Sequence, residues 1–141
     1  MKLYFAGPLF SAAEQAWNLD LATALRAAGH EVFLPQEQEK GKTAAGVFAH
    51  DVGGIDRAEA IVAIMDGPDP DSGTASECGY AYGRKPVVLV RTDMRVQTAY
   101  DAPYNAMLTG SADIRLDLPL ASMAEVKRAV LDALATLEER S

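Results

Sequence analysis

Two stretches of the chain, residues 60–65 and 86–90, contain no polar residue. A strand that is apolar on both sides has no face to offer water, so it belongs inside a sheet covered on both faces. Helices that connect parallel strands supply that cover, and helical patterns lie around both runs. Residues 3–6, closed by Gly7 and Pro8, and residues 31–34, stopped by Pro35, read as two further strands. Ile114 and Leu116 mark a short fifth one. Ser11 and Glu14 form a capping box that opens a helix with Trp17, Leu21, Leu25 and Ala28 on one face, and Gly29 ends it. A second helix is expected from about residue 44 to 59, interrupted near Gly53 and Gly54. Ser122 and Glu125 open the last helix, which packs through Val126, Val130, Ala133, Leu134 and Leu137 and runs through residues 138–141. The alternation predicts an α/β fold with a parallel sheet and helices on both faces. A chain of 141 residues suits one domain, 1–141.

The stretch from Asp66 to Pro86 carries the chemistry. Pro68, Pro70 and two glycines break the chain after the third strand, and residues 72–74 start a short helix bearing Glu77. Open α/β sheets hold ligands in such loops, outside the carboxyl ends of the strands. Near the first helical turn the macrodipole favours an ionised carboxylate. Thr74 and Glu77 also fit a capping box, and Asp71 can cap the same helix. Asp66, Asp69 and Asp71 crowd the loop beyond what a helix start needs, and they leave open a hard-cation site.

The net charge of −7, without a basic tract, disfavours nucleic acid as a partner. No apolar run is long enough for a signal peptide or a membrane span, so a soluble, cytoplasmic protein is expected. The one cysteine, Cys78, reads as a small buried hydrophobe. His30 and His50 read as surface residues, and Tyr80 and Tyr82 as packing on neighbours or at a subunit contact. Residues 36–46 read as a loop, a candidate lid, over the edge of the sheet.

Tyr4-Phe5-Ala6-Gly7, the Asp71-Ser-Gly73-Thr74-x-x-Glu77 run and Asn105-x-Met107, taken in order and spacing, resemble the nucleoside 2-deoxyribosyltransferases. The resemblance implies a flavodoxin-like (Rossmann-like) three-layer sandwich with a five-stranded parallel sheet. It implies transfer of 2-deoxyribose between a 2′-deoxynucleoside and a free nucleobase, as in nucleotide salvage, without a cofactor or metal. It also implies a dimer-based homo-oligomer whose active sites are shared between subunits. Carried over, Glu77 matches the nucleophile, Tyr4 the residue that orients it, and Asp51 the aspartate that engages the base and its proton. Asp71 matches the residue on the sugar hydroxyls, Gly73 belongs to the same substrate-binding run, and Asn105 and Met107 match the segment donated by the neighbouring subunit. A terminal carboxylate used by some relatives has no counterpart here, and residues 36–50 match nothing specific.

Such chemistry has its own physical logic. Displacing a base from a sugar passes through an oxocarbenium-like centre that a fixed carboxylate stabilises and traps, while a second carboxyl serves the leaving base. Two other readings stand beside it. One is a hydrolase of (deoxy)nucleoside 5′-monophosphates; against it, Asp71 would oppose a phosphate dianion. The other is a non-catalytic sensor of a nucleotide-like ligand on the same fold. On its own each residue also has a plain role: Tyr4 a packed strand aromatic, Asp51 a solvated helix residue, Asn105 a helix N-cap.

Overall fold

The computed structural model describes residues 1–38 and 43–141. Five parallel strands form one sheet: β1 (Lys2–Ala6), β2 (Glu31–Phe33), β3 (Ala60–Ile64), β4 (Val87–Arg91) and β5 (Ile114–Asp117), in the order β2-β1-β3-β4-β5. The helices are α1 (Ala12–Ala27), α2 (Ala44–Arg57), α3 (Ser72–Ala81), α4 (Ala106–Thr109) and α5 (Met123–Glu139). This is the flavodoxin-like arrangement, and its strand order reverses between β1 and β3, where such sheets open a crevice.

Alternation along each strand sorts the core into two layers. Leu3 and Phe5 of β1, Val62 and Ile64 of β3, and Val88 and Val90 of β4 pack with Leu21 and Leu25 of α1 and with the α5 stripe Val126, Val130, Leu134 and Leu137. Tyr4, Ile61, Ala63, Val87 and Leu89 point the other way, against Ile55 of α2, Cys78 and Ala81 of α3 and Leu108 of α4. The functional candidates gather on this second face. The runs that the sequence marked as apolar on both sides, β3 and β4, are buried at every position.

Several expectations need correction. In α1 the buried set is Asn18, Leu21, Ala22 and Leu25; Trp17, half-buried, packs against the core as expected, whereas Ala28 is exposed because it is the C-cap. Asn18 tolerates burial because its amide donates to the Pro8 carbonyl at 2.9 Å and to Gln36 Oε1 at 3.1 Å. Both capping boxes form as expected, and Gly29, just past the C-cap, takes the left-handed φ of 96° that suits glycine. α2 runs unbroken through Gly53 and Gly54, since Gly54 is buried against Phe33 and serves close approach instead of a break. The expected loop 36–46 overlaps a 3₁₀ turn, Pro35–Glu37, and the start of α2, where the Thr43 hydroxyl accepts from Gly46 N at 3.0 Å. Residues 39–42, the centre of the candidate lid, lie outside the described residues. α5 stops at Glu139, with Arg140 as its C-cap. Among the described residues no helix is long and apolar enough to cross a membrane.

Candidate functional site

The loop after β3 is bolted down before it reaches α3. Asp66 accepts from Thr92 N at 2.6 Å, Thr92 Oγ1 at 2.5 Å and Asp93 N at 2.9 Å, tying the end of β3 to the end of β4. Arg91, fully buried, donates to the Gly67 carbonyl at 3.5 Å and the Arg95 carbonyl at 2.9 Å, and lies 5.3 Å from the Tyr104 ring centroid. Sequence reasoning passed over Arg91, although a lone cation ending an apolar run is a usable signal. Asp71 is the N-cap of α3, and its Oδ2 accepts from Thr74 N at 2.9 Å and Thr74 Oγ1 at 3.1 Å. The Thr74–Glu77 capping box therefore does not form. With Ser72 as the first helical residue, Glu77 falls in the second turn, beyond the strongest part of the macrodipole. Two of the three loop aspartates thus have structural work. Among the described residues no group of three or more His, Cys, Asp or Glu side chains is placed to hold a metal ion.

Glu77 is held from the sheet side. The Tyr4 hydroxyl donates to Glu77 Oε1 at 2.7 Å, and Tyr4 is wholly buried on β1. Glu77 opens on its other side into a cavity of about 310 Å³ between α2 and α3, lined among others by Phe48, Asp51, Ile55, Gly73 and Tyr80. Burial pushes the Glu77 carboxyl from 4.5 up to about 7; the Tyr4 hydrogen bond opposes that rise, and the negative charges of Asp51 and Asp71 add to it. The expectation that this position favours an ionised carboxylate is corrected accordingly: desolvation outweighs the hydrogen bond. Burial, followed by the charge and hydrogen bond of Glu77 and the charge of Asp51, drives Tyr4 far above the usual phenol range, so it remains a donor. Burial likewise raises the Cys78 thiol to about 12, in keeping with a packed and unreactive side chain.

Tyr4, Asp51, Asp71, Gly73 and Glu77 therefore come together; Asn105 and Met107 do not join them within one chain. Ser72, Ala75, Gly79 and Tyr82 on the opposite face of α3 line a larger cavity of about 610 Å³, shared with Asn105 and Met107. Asn105 is the N-cap of α4, accepting from Met107 N at 2.8 Å, and Met107 is 83% exposed. Tyr80 bonds Asp56 at 3.0 Å under the Arg84 guanidinium, and Tyr82 is exposed. Neither histidine is a free surface group: His30 Nδ1 lies 3.2 Å from the amino group of Met1, and the His50 ring packs 5.1 Å from Phe33. Phe33 and Phe48 border the site and were not singled out from the sequence, and His50, expected at the surface, packs on Phe33. Phe48 was recoverable, because positions 48, 51, 52 and 55 share one helical face.

A carboxyl poised near neutrality, gripped by a phenol and facing a second carboxylate across a mostly apolar cavity, is equipped for nucleophilic or proton-transfer chemistry on a small organic ligand. The sequence profile described as nucleoside 2-deoxyribosyltransferase matches residues 3–117, a span that includes every one of these side chains. The chain belongs to that family. By that description its members transfer 2-deoxyribose from nucleosides. A 2-deoxyribosyltransferase from Bacillus psychrosaccharolyticus is 28% identical, with a TM-score of 0.70 over 90% of each chain. A conserved protein from Enterococcus faecalis V583 is 27% identical, with a TM-score of 0.71 over 94% of this chain and 98% of that one. A CMP N-glycosidase from Clostridium botulinum shares the fold at 16% identity and a TM-score of 0.69, over 92% of this chain and 97% of its own. No curated protein matches the chain.

Proposed function

We propose that this family member moves 2-deoxyribose between nucleobases by double displacement through Glu77. The observation that carries the reading is the Tyr4–Glu77 hydrogen bond of 2.7 Å, at the wall of a cavity that Asp51 also lines. A glutamate titrating at about 7 is substantially ionised near neutral pH, yet desolvated enough to be reactive. An ionised Glu77 oxygen attacks the anomeric carbon as the bond to the base breaks. The base leaves with that electron pair and takes a proton from Asp51, in the microstate in which the Glu77–Asp51 pair holds its one proton on Asp51. An incoming base then attacks the same carbon, expels Glu77 and returns its proton to Asp51. Two inversions give net retention, as in retaining glycosidases.

Asp71 caps α3 through Oδ2, which leaves Oδ1 for a sugar hydroxyl. Its charge favours a free 5′-hydroxyl over a phosphate dianion. Asn105 and Met107 line a cavity on the far side of α3 from Glu77, so in this reading they serve a neighbouring subunit, and the homo-oligomer is built from dimers that share sites. The exposed Met107 and Tyr82 support such a contact. Incubation with deoxyadenosine and cytosine should yield deoxycytidine, with little free deoxyribose when water is the sole acceptor. Release of sugar without exchange, or faster turnover of deoxyadenosine monophosphate, would overturn the reading in favour of an N-glycosidase.

A further inference from the structure

Phe33 lies where the two halves of the site meet. It stands beside Tyr4 in the parallel register of β1 and β2, and the two rings stack with centroids 5.3 Å apart and planes 16° from parallel. On its other side it meets α2. The His50 ring centroid is 5.1 Å away at 37°. A Cβ on Gly54 would fall 3.0 Å from both Cε1 and Cζ of Phe33 and 3.1 Å from Cδ1. Carbon atoms in comfortable contact stand about 3.5–4.0 Å apart, so position 54 has no room for a side chain while the ring stays put. α2 thus rests its backbone on Phe33, and Asp51 sits one turn before that contact.

We propose that Phe33, seated by Gly54, is a positioning residue for the reaction: one ring holds the Tyr4 phenol on Glu77 and sets how far α2, and with it Asp51, stands from Glu77. The proposal rests on the double-displacement reading but adds residues that no motif in the chain points to. Its physical basis is a division of labour. A hydrogen bond fixes only the tip of Tyr4, and a stacked face fixes the plane of the ring. Asp51 belongs to a helix whose approach is limited by the same phenyl group, so both groups that act on Glu77 are referenced to one rigid body. Small errors in such distances are costly, about 100-fold in rate for a misplacement of about 1 Å.

Phe33→Leu keeps an apolar side chain but removes the stack, and Gly54→Ala forces the ring or the helix to give way. Carbon-13 NMR titration of the Glu77 carboxyl, without substrate, reads the consequence directly. Loosening the phenol hydrogen bond moves the Glu77 midpoint up, whereas pushing α2 and the Asp51 charge away moves it down, so the midpoint should rise by about 0.5–1 pH unit in Phe33→Leu, where no added methyl displaces α2, and shift by less in Gly54→Ala. Base exchange should lose kcat by about 10-fold with KM changed less than about threefold. Gly54→Ala should cost less in the Phe33→Leu background than alone, because the smaller side chain leaves room for the methyl. Circular dichroism confirms that each variant is folded; if Leu at position 33 prevents folding, the kcat of Gly54→Ala decides. A folded Phe33→Leu variant whose Glu77 titrates as in the wild type, a folded Gly54→Ala variant with undiminished kcat, or costs that multiply in the double variant, would overturn the proposal. Absence of base exchange in the wild type would remove the double-displacement reading, while the titration would still judge Phe33.

Discussion

Glu77→Gln should make the fold more stable while removing its proposed chemistry. The substitution keeps the shape of the side chain and an oxygen that can accept from Tyr4, but it abolishes ionisation. In the unfolded chain Glu77 titrates near 4.5, and burial raises it to about 7 in the fold. Between those values the folded state retains a proton that the unfolded state has released, so stability falls as pH rises. The contribution of the protonated carboxyl is fully present below pH 4.5, diminishes above it, and is lost once pH has passed about 7. A rise from 4.5 to about 7 corresponds to about 3.5 kcal/mol, at about 1.4 kcal/mol per pH unit. That is an upper figure, because the carboxylate still reaches solvent through its cavity, and about 1–3 kcal/mol is expected. Thermal melts of both proteins across about pH 5–8 provide the assay. The variant should melt higher by roughly 3–10 °C at the alkaline end, and the gap should close towards the acid end. A gap independent of pH, or a more stable wild type at the alkaline end, would refute the burial argument.

Tyr4→Phe removes the donor that lowers the Glu77 carboxyl, so the acid limb of the pH–rate profile should move to higher pH and the rate should fall by roughly 10-fold or more; an unmoved limb would detach Tyr4 from Glu77. Asp51→Asn keeps the shape but not the proton, and the loss, on the order of 100-fold, should be greatest for bases that leave poorly, whereas an equal loss for all bases would argue against proton transfer. Mixed under subunit exchange, inactive Glu77→Ala and Asn105→Ala proteins should regain part of the activity, since a hybrid dimer carries one complete shared site; no recovery despite verified exchange, or an active monomer, would contradict the shared site.

Much of the fold was legible because its signals are local. Uninterrupted apolar runs announced β3 and β4, and the Ser11–Glu14 and Ser122–Glu125 pairs placed the starts of α1 and α5. The site was legible where residues sit at fixed spacings along one loop and helix, as Asp71 and Glu77 do. What stayed hidden depends on tertiary approach. Nothing local says that Gly54 continues a helix instead of breaking it; that follows from the Phe33 ring lying against it. Of the competing caps at Asp71 and Thr74, Asp71 prevails because its Oδ2 accepts from both Thr74 N and Thr74 Oγ1, and this moved Glu77 into the second turn. The elevated Glu77 carboxyl arises from desolvation by α2 and the sheet, which no spacing encodes. Asp66 looked like surplus acidity until β4 brought Thr92 and the Asp93 amide to it.

The central claim is a covalent sugar on Glu77. Protein mixed with deoxyadenosine and no acceptor base, quenched in acid within the first turnover, digested and examined by mass spectrometry, tests it directly. The account predicts a burst of adenine up to one per site and a deoxyribosyl unit on the peptide containing Glu77, lost when cytosine is added as deoxycytidine forms. Base exchange without any such adduct on Glu77, or with undiminished rate in Glu77→Ala, would contradict it.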